Sequence, residues 1–143
     1  MSRRDARNAA VKIIFGYSFS VTDGSPASVE NLIESYMQDF DDSEGGTKDE
    51  YDYLCDVVKG AIAHIDEIDE LIKSCIKGWD FDRLAKADLA VLRVAVYEMK
   101  FRDDIPESIS INEAVEIAKK YGTDDSPAYI NGVLGSVYKI IKG

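Results

Sequence analysis

The stretch from Leu84 to Met99 constrains this chain more than any other. Leu89, Val91, Leu92, Val94 and Val96 leave it apolar on nearly every face, and between Leu89 and Val96 the only charge is Arg93. A helix that is hydrophobic all round has to be enclosed by other elements, so the spacing predicts a central helix inside a bundle. An arginine enclosed with it needs an internal acceptor, and Glu98 and Glu113 are the candidates.

The remainder of the chain supplies the enclosure. Apolar residues recur at helical spacing almost throughout and period-two alternation is hard to find, which predicts an all-α fold of six or seven helices. The first covers about residues 4 to 19. Ser25 as N-cap and Pro26 as first helical residue then restart the chain, and the second helix runs to about Phe40. Thr47 with Glu50 reads as a capping box that opens a long helical stretch, bent near His64 to Asp66 and stopped at Gly78. Ser110 with Glu113 reads as a second capping box, opening a helix that closes at Tyr121 and Gly122, and Ser126 with Pro127 starts the last helix. Asn131 followed by Gly132 is a hairpin-turn dipeptide on its own, but Tyr129, Ile130, Val133, Leu134 and Val137 keep helical spacing around it. Gly132 and Gly135 are expected to admit a neighbouring helix closely. No repeat or linker divides the 143 residues, which form a single domain able to bury roughly two-thirds of its unfolded surface.

Several kinds of chemistry are missing. Cys55 and Cys75 stand alone in apolar helical surroundings and read as reduced core thiols, and His64, the single histidine, has no nucleophile pattern near it. With Asp41 as first ligand, the acidic loop puts Gly45 at the fifth calcium-loop position and Asp52 at the twelfth, so it lacks the ligands an EF-hand needs. There is no phosphate-binding glycine loop, dinucleotide fingerprint or nucleophile elbow. The expectation is therefore no metal, no cofactor and no enzymatic activity. No apolar run reaches the roughly 18 residues of a membrane span and no leader precedes the first helix, so a cytoplasmic protein is expected.

Charge is distributed unevenly. The net charge is -10, yet residues 1 to 22 carry Arg3, Arg4, Arg7 and Lys12 against Asp5 alone, while residues 23 to 58 hold eleven acids against Lys48. A basic end on an acidic body can grip a polyanion locally, or can simply solvate an exposed helix. On a helical wheel Ala6, Ala9, Ala10, Ile13 and Tyr17 share a core-facing side, and Arg3, Arg4 and Arg7 gather opposite them with Val11 and Phe15. Guanidinium forks suit phosphate oxygens, and an aromatic beside them can stack on a base, anchor a partner or pack beneath another helix.

The segments RRDAR at 3 to 7, WDFDRL at 79 to 84, LRVAVYEM at 92 to 99, INEAVEIAKKYG at 111 to 122 and YINGVL at 129 to 134 occur in the order that characterises the NusB family, which the chain resembles over nearly its full length. The resemblance implies two packed helical bundles and a non-catalytic transcription antitermination factor. Such a factor binds the single-stranded boxA element of ribosomal RNA transcripts together with the ribosomal protein NusE, and is linked through these to other Nus factors and RNA polymerase. It implies RNA contacts by Arg3, Arg4 and Arg7 and stacking by Tyr129, with Asp125, Ser126 and Asn131 shaping that edge. Phe15 and Asp88 match positions on the NusE side. Two other classes stay open on the residues alone. One is a protein-binding module or homodimer formed through the Phe15 face without RNA. The other is an enzyme, since NusB-like domains also begin ribosomal RNA cytosine methyltransferases, although 143 residues leave no room for a cofactor domain.

Overall fold

The computed structural model describes residues 2–19, 26–38, 48–76, 78 and 80–143. Within them the chain forms seven α-helices and no strand: α1 (Arg3–Tyr17), α2 (Pro26–Met37), α3 (Lys48–Ala63), α4 (Ile65–Cys75), α5 (Lys86–Phe101), α6 (Glu107–Tyr121) and α7 (Ser126–Lys142), with a short 3-10 turn at Phe81–Arg83. Helix α5 is the axis, and every residue from Leu89 to Met99 is buried. One bundle, α1 to α3, packs on one side of it; α4, α6 and α7 pack on the other. No described helix is long and apolar enough to cross a membrane.

Local chemistry sets the boundaries. Ser2 caps α1 by accepting the Asp5 N–H at 3.0 Å, and the Asp5 carboxylate accepts the Ser2 N–H at 3.0 Å, a reciprocal box that gives Asp5 a structural reason to interrupt the arginines. These bonds hold its carboxyl below the usual range. The expected bend separates α3 from α4 at His64. Helix α4 ends at Cys75 with Ile76 as its cap, short of the stop expected at Gly78, which nevertheless has the left-handed backbone anticipated for it, with a φ of 81°. Gly60 lets α5 approach α3 closely, because a Cβ there would lie 2.3 Å from the Tyr97 ring.

Four expectations are corrected. Helix α6 begins at Glu107 behind Pro106, so Ser110 is no cap; it lies a turn inside, buried, and its hydroxyl donates to Glu98 at 3.0 Å. Proline fixes the backbone before the helix, which makes the start four residues earlier than a serine box requires. Arg93 pairs with neither Glu98 nor Glu113. Its guanidinium donates to Asp69 of α4 at 2.9 and 2.8 Å, because α4 covers that face of α5. Gly132 and Gly135 face open space and admit no close helix. Val11, placed on the arginine side by the wheel, is buried, because α1 is enclosed by α2, α3 and α5 and its buried arc is wider than one stripe. The Ser25 cap, the Thr47 side of the capping box, the acidic loop at 41–47 and Trp79 lie outside the described residues.

Candidate nucleic-acid interface

The arginines of α1 reach three different environments. Arg7 is only 3% exposed, and its guanidinium donates to both oxygens of the buried Glu98 at 2.8 and 2.9 Å. Glu98 also accepts from the hydroxyls of Tyr53 and Ser110, so helices α1, α3 and α6 all bond one carboxylate of α5. Four donors fill the acceptor capacity of a carboxylate. Burial works against the Arg7 charge, yet Glu98 and Tyr53 outweigh it and hold the guanidinium above its ordinary pKa. Burial first, then the Glu98 charge, pushes the Tyr53 hydroxyl well above the usual tyrosine range. The expectation that Arg7 contacts RNA is therefore corrected: the side chain is enclosed and all its directed bonds stay inside the protein.

Arg3 is intermediate. Its Nε donates to Glu50 at 2.9 Å, and its guanidinium lies 4.3 Å from the centre of the Tyr53 ring. Arg4 is the outward one, with a side chain 64% exposed, donating to Glu113 of α6 at 3.1 and 3.0 Å. A planar guanidinium held along one edge by a carboxylate still offers its remaining N–H groups to a second anion.

Helices α1 and α6 both run antiparallel to α5. On α1, Arg7 pairs with Glu98 and Ser18 lies near Arg93; on α6, Ser110 pairs with Glu98, and Thr123 just beyond its end shares a cleft with Asp88. The two outer helices therefore run parallel, and Arg4 meets Glu113 where Lys12 meets Tyr121, eight residues further along each helix.

Past the end of α6 opens a cleft of about 400 Å³ lined by Arg83, Asp88, Thr123, Asp125, Ser126 and Tyr129. Four residues singled out from the sequence thus come together. Tyr129 is half-buried, and burial followed by the nearby Asp88 charge raises its hydroxyl pKa. Asp125 is exposed at the rim. Ser126, by contrast, is 2% exposed and its hydroxyl accepts the Thr123 N–H at 2.9 Å, so it shapes the turn and is corrected as a direct RNA contact. The same crowding explains Gly122, where a Cβ would lie 2.4 Å from the Ser126 hydroxyl. Asn131 points to solvent.

Phe15 lies away from the arginines at the C-terminal end of α1. It is 38% exposed and meets Phe19, 63% exposed, edge to face with ring centres 5.0 Å apart. Asp88 lines the cleft. Sequence reasoning missed Arg83, whose side chain is 88% exposed and only loosely paired with Asp80 at 3.8 Å. Its position in the WDFDRL segment, next to a central helix, was the available signal. Among the described residues no cluster of His, Cys, Asp and Glu could hold a metal ion.

Residues 4–139 match the profile of the NusB family. The transcription antitermination protein NusB of Acetivibrio thermocellus is 42% identical over 140 residues, covering 98% of this chain and 90% of that protein. The same-named protein of Geobacter sulfurreducens is 39% identical over 136 residues, covering 95% and 93%. Among solved structures, T. maritima NusB superposes with a TM-score of 0.81 at 32% identity over 97% of this chain and 92% of its own. A chain in a crystal structure of the antitermination factors NusB and NusE in complex with double-stranded RNA gives 0.80 at 26% identity, covering 96% of both. Matched in sequence and in fold from α1 to α7, the chain belongs to the NusB family.

Proposed function

We propose that this protein is a cytoplasmic, non-catalytic transcription antitermination factor that binds the boxA element of ribosomal RNA transcripts jointly with the ribosomal protein NusE, and through them acts with other Nus factors and RNA polymerase. The observation that carries this reading is the near full-length match to antitermination proteins, one of whose structural relatives was solved with NusE and RNA. The geometry supplies the chemistry. Arg4, with Arg3 beside it, offers phosphate donors at one end of α1, and Tyr129 offers a partly exposed ring for stacking at the cleft, with Asp125 at its rim. The exposed Phe15 and Phe19 pair supports an apolar anchor for a protein partner. Because the body is acidic, with a net charge of -10, RNA binding by the protein alone is weak and steeply salt-dependent, and a partner that adds contacts strengthens it.

The test is binding of boxA RNA and a scrambled RNA of equal length, with and without NusE, at two salt concentrations. Selective binding that NusE strengthens is expected. Equal or absent binding to both RNAs in every condition overturns the reading, and a NusE complex or homodimer that forms regardless of RNA then favours a protein-only module.

A further inference from the structure

In a chain so acidic, nearly every cation is neutralised at close range. All six arginines, Arg3, Arg4, Arg7, Arg83, Arg93 and Arg102, lie within 4.0 Å of a carboxylate. Among the described lysines, only Lys12, Lys86, Lys120 and Lys139 make no such pair; the others hold Asp52, Glu30, Glu70, Glu67, Glu116 or Glu107. Two of those four converge on one aromatic ring. The Lys12 ammonium lies 5.7 Å from the centre of Tyr121, and the Lys120 ammonium lies 5.2 Å from it.

Holding a cation on a ring differs from holding it on a carboxylate. The ring positions the ammonium through its quadrupole and leaves the full positive charge for a third group. Lys120 also sits in the last turn of α6, where the helix carbonyls favour a cation. Asp5, the acid of α1, feels the Lys120 charge, but its hydrogen bonds are made within the Ser2 capping box. The node is well placed: about 12 Å along the paired helices from Arg4, and immediately before the Thr123 to Tyr129 cleft.

We propose that Lys12 and Lys120, gathered on the Tyr121 ring, form a contact for RNA backbone phosphate that joins the Arg4 end of α1 to the Tyr129 cleft in one continuous strip. The proposal rests on the RNA-binding reading above. It assigns the strand a path along the α1 and α6 seam, and it assigns these two lysines an affinity role with no part in base selection, because phosphate contacts position the strand without reading it.

The test uses the full chain and boxA RNA, with the double variant Lys12→Gln/Lys120→Gln and the control Lys119→Gln. The control residue is one position away, exposed, and already neutralised by Glu116 at 3.0 Å, so it removes a single lysine charge that is held on a carboxylate and not on the Tyr121 ring. Affinities are measured across a salt series, with helical content checked by circular dichroism. The double variant is expected to bind about threefold to tenfold more weakly at low salt, with the slope of log affinity against log salt reduced by about 1.4. The control keeps both the wild-type affinity and the slope. A double variant indistinguishable from wild type, or a control that loses as much, overturns the lysine contact while leaving the RNA reading intact. Failure of the wild-type protein to bind RNA in any condition overturns both.

Discussion

Replacing Arg7 by methionine isolates the consequence of the buried pair. The substitution removes two of the four donors to Glu98 and leaves a fully buried carboxylate with only the Tyr53 and Ser110 hydroxyls. Breaking a buried pair from one side costs about 3–5 kcal/mol, because the remaining charge is no longer compensated. For a domain whose total stability is about 5–15 kcal/mol, that is a large fraction. At about 3 °C per kcal/mol for a chain near this size, Tm falls by about 10–15 °C. Denaturant unfolding followed by circular dichroism reads the free energy directly. Adding Glu98→Gln removes the stranded charge, with the amide oxygen accepting from one of the two hydroxyls and the amide NH2 donating to the other hydroxyl oxygen, so the double variant should recover at least about 1 kcal/mol of the loss. Two results refute this reasoning: a single variant that loses less than about 1 kcal/mol, or a double variant no more stable than the single one. At a temperature where both proteins are folded, Arg7→Met should bind boxA RNA within about twofold of wild type, since the guanidinium never reaches the surface.

Other expectations follow from the same geometry. Gly60→Ala drives a Cβ into the Tyr97 ring and should cost up to about 3 kcal/mol, outweighing the ~1 kcal/mol that alanine returns to a helix; a lower denaturation midpoint checks this. Tyr129→Ala should weaken boxA binding by about 1–3 kcal/mol if its ring stacks on a base, whereas Tyr129→Phe should retain most of the affinity, as read by titration with labelled RNA. The hydrogen bonds from Arg102 hold the Asp104 carboxyl down to about 2, below its ordinary 3.8. The stabilisation this gives is fully present above pH 4 and is lost as pH falls through about 2. Because Asp104 is exposed, Asp104→Asn should lower stability by less than about 1 kcal/mol at neutral pH, and wild type and variant should converge in acid unfolding near pH 2.

The helices were legible in the sequence because enclosure and capping leave local marks. The unbroken apolar run of α5, Gly78 at a positive φ and the start of α7 at Ser126 are all consequences of nearest-neighbour chemistry. Partner choice among buried charges was not legible. Arg93 and Arg7 both needed acceptors, and only the packing of α4 against one face of α5, and of α1 against another, decides that Asp69 serves the first and Glu98 the second. The wheel for α1 likewise misplaced Arg7 and Val11, because it resolves one buried stripe and α1 is covered from more than one side. For the candidate site, Tyr129, Asp125 and Asp88 do meet in one cleft, and the convergence with Arg83 required the turn at Phe81–Arg83 to fold back beside α7.

The carboxylate that gathers α1, α3 and α6 also sets a timetable. Arg7 leaves the ribosome well before its acceptor, which lies 91 residues later, and the Ser110 hydroxyl that completes the acceptor's shell lies later still. Until that length of chain has emerged, α1 can coil but cannot bury its arginine, and it stays exposed as an undocked basic segment. The α1 helix, which bears part of the proposed phosphate contact, is therefore made well before its buried arginine can be locked. A nascent chain on its way to that point carries a basic segment through a crowd of ribosomal RNA, with the acidic side chains of residues 23 to 58 following close behind.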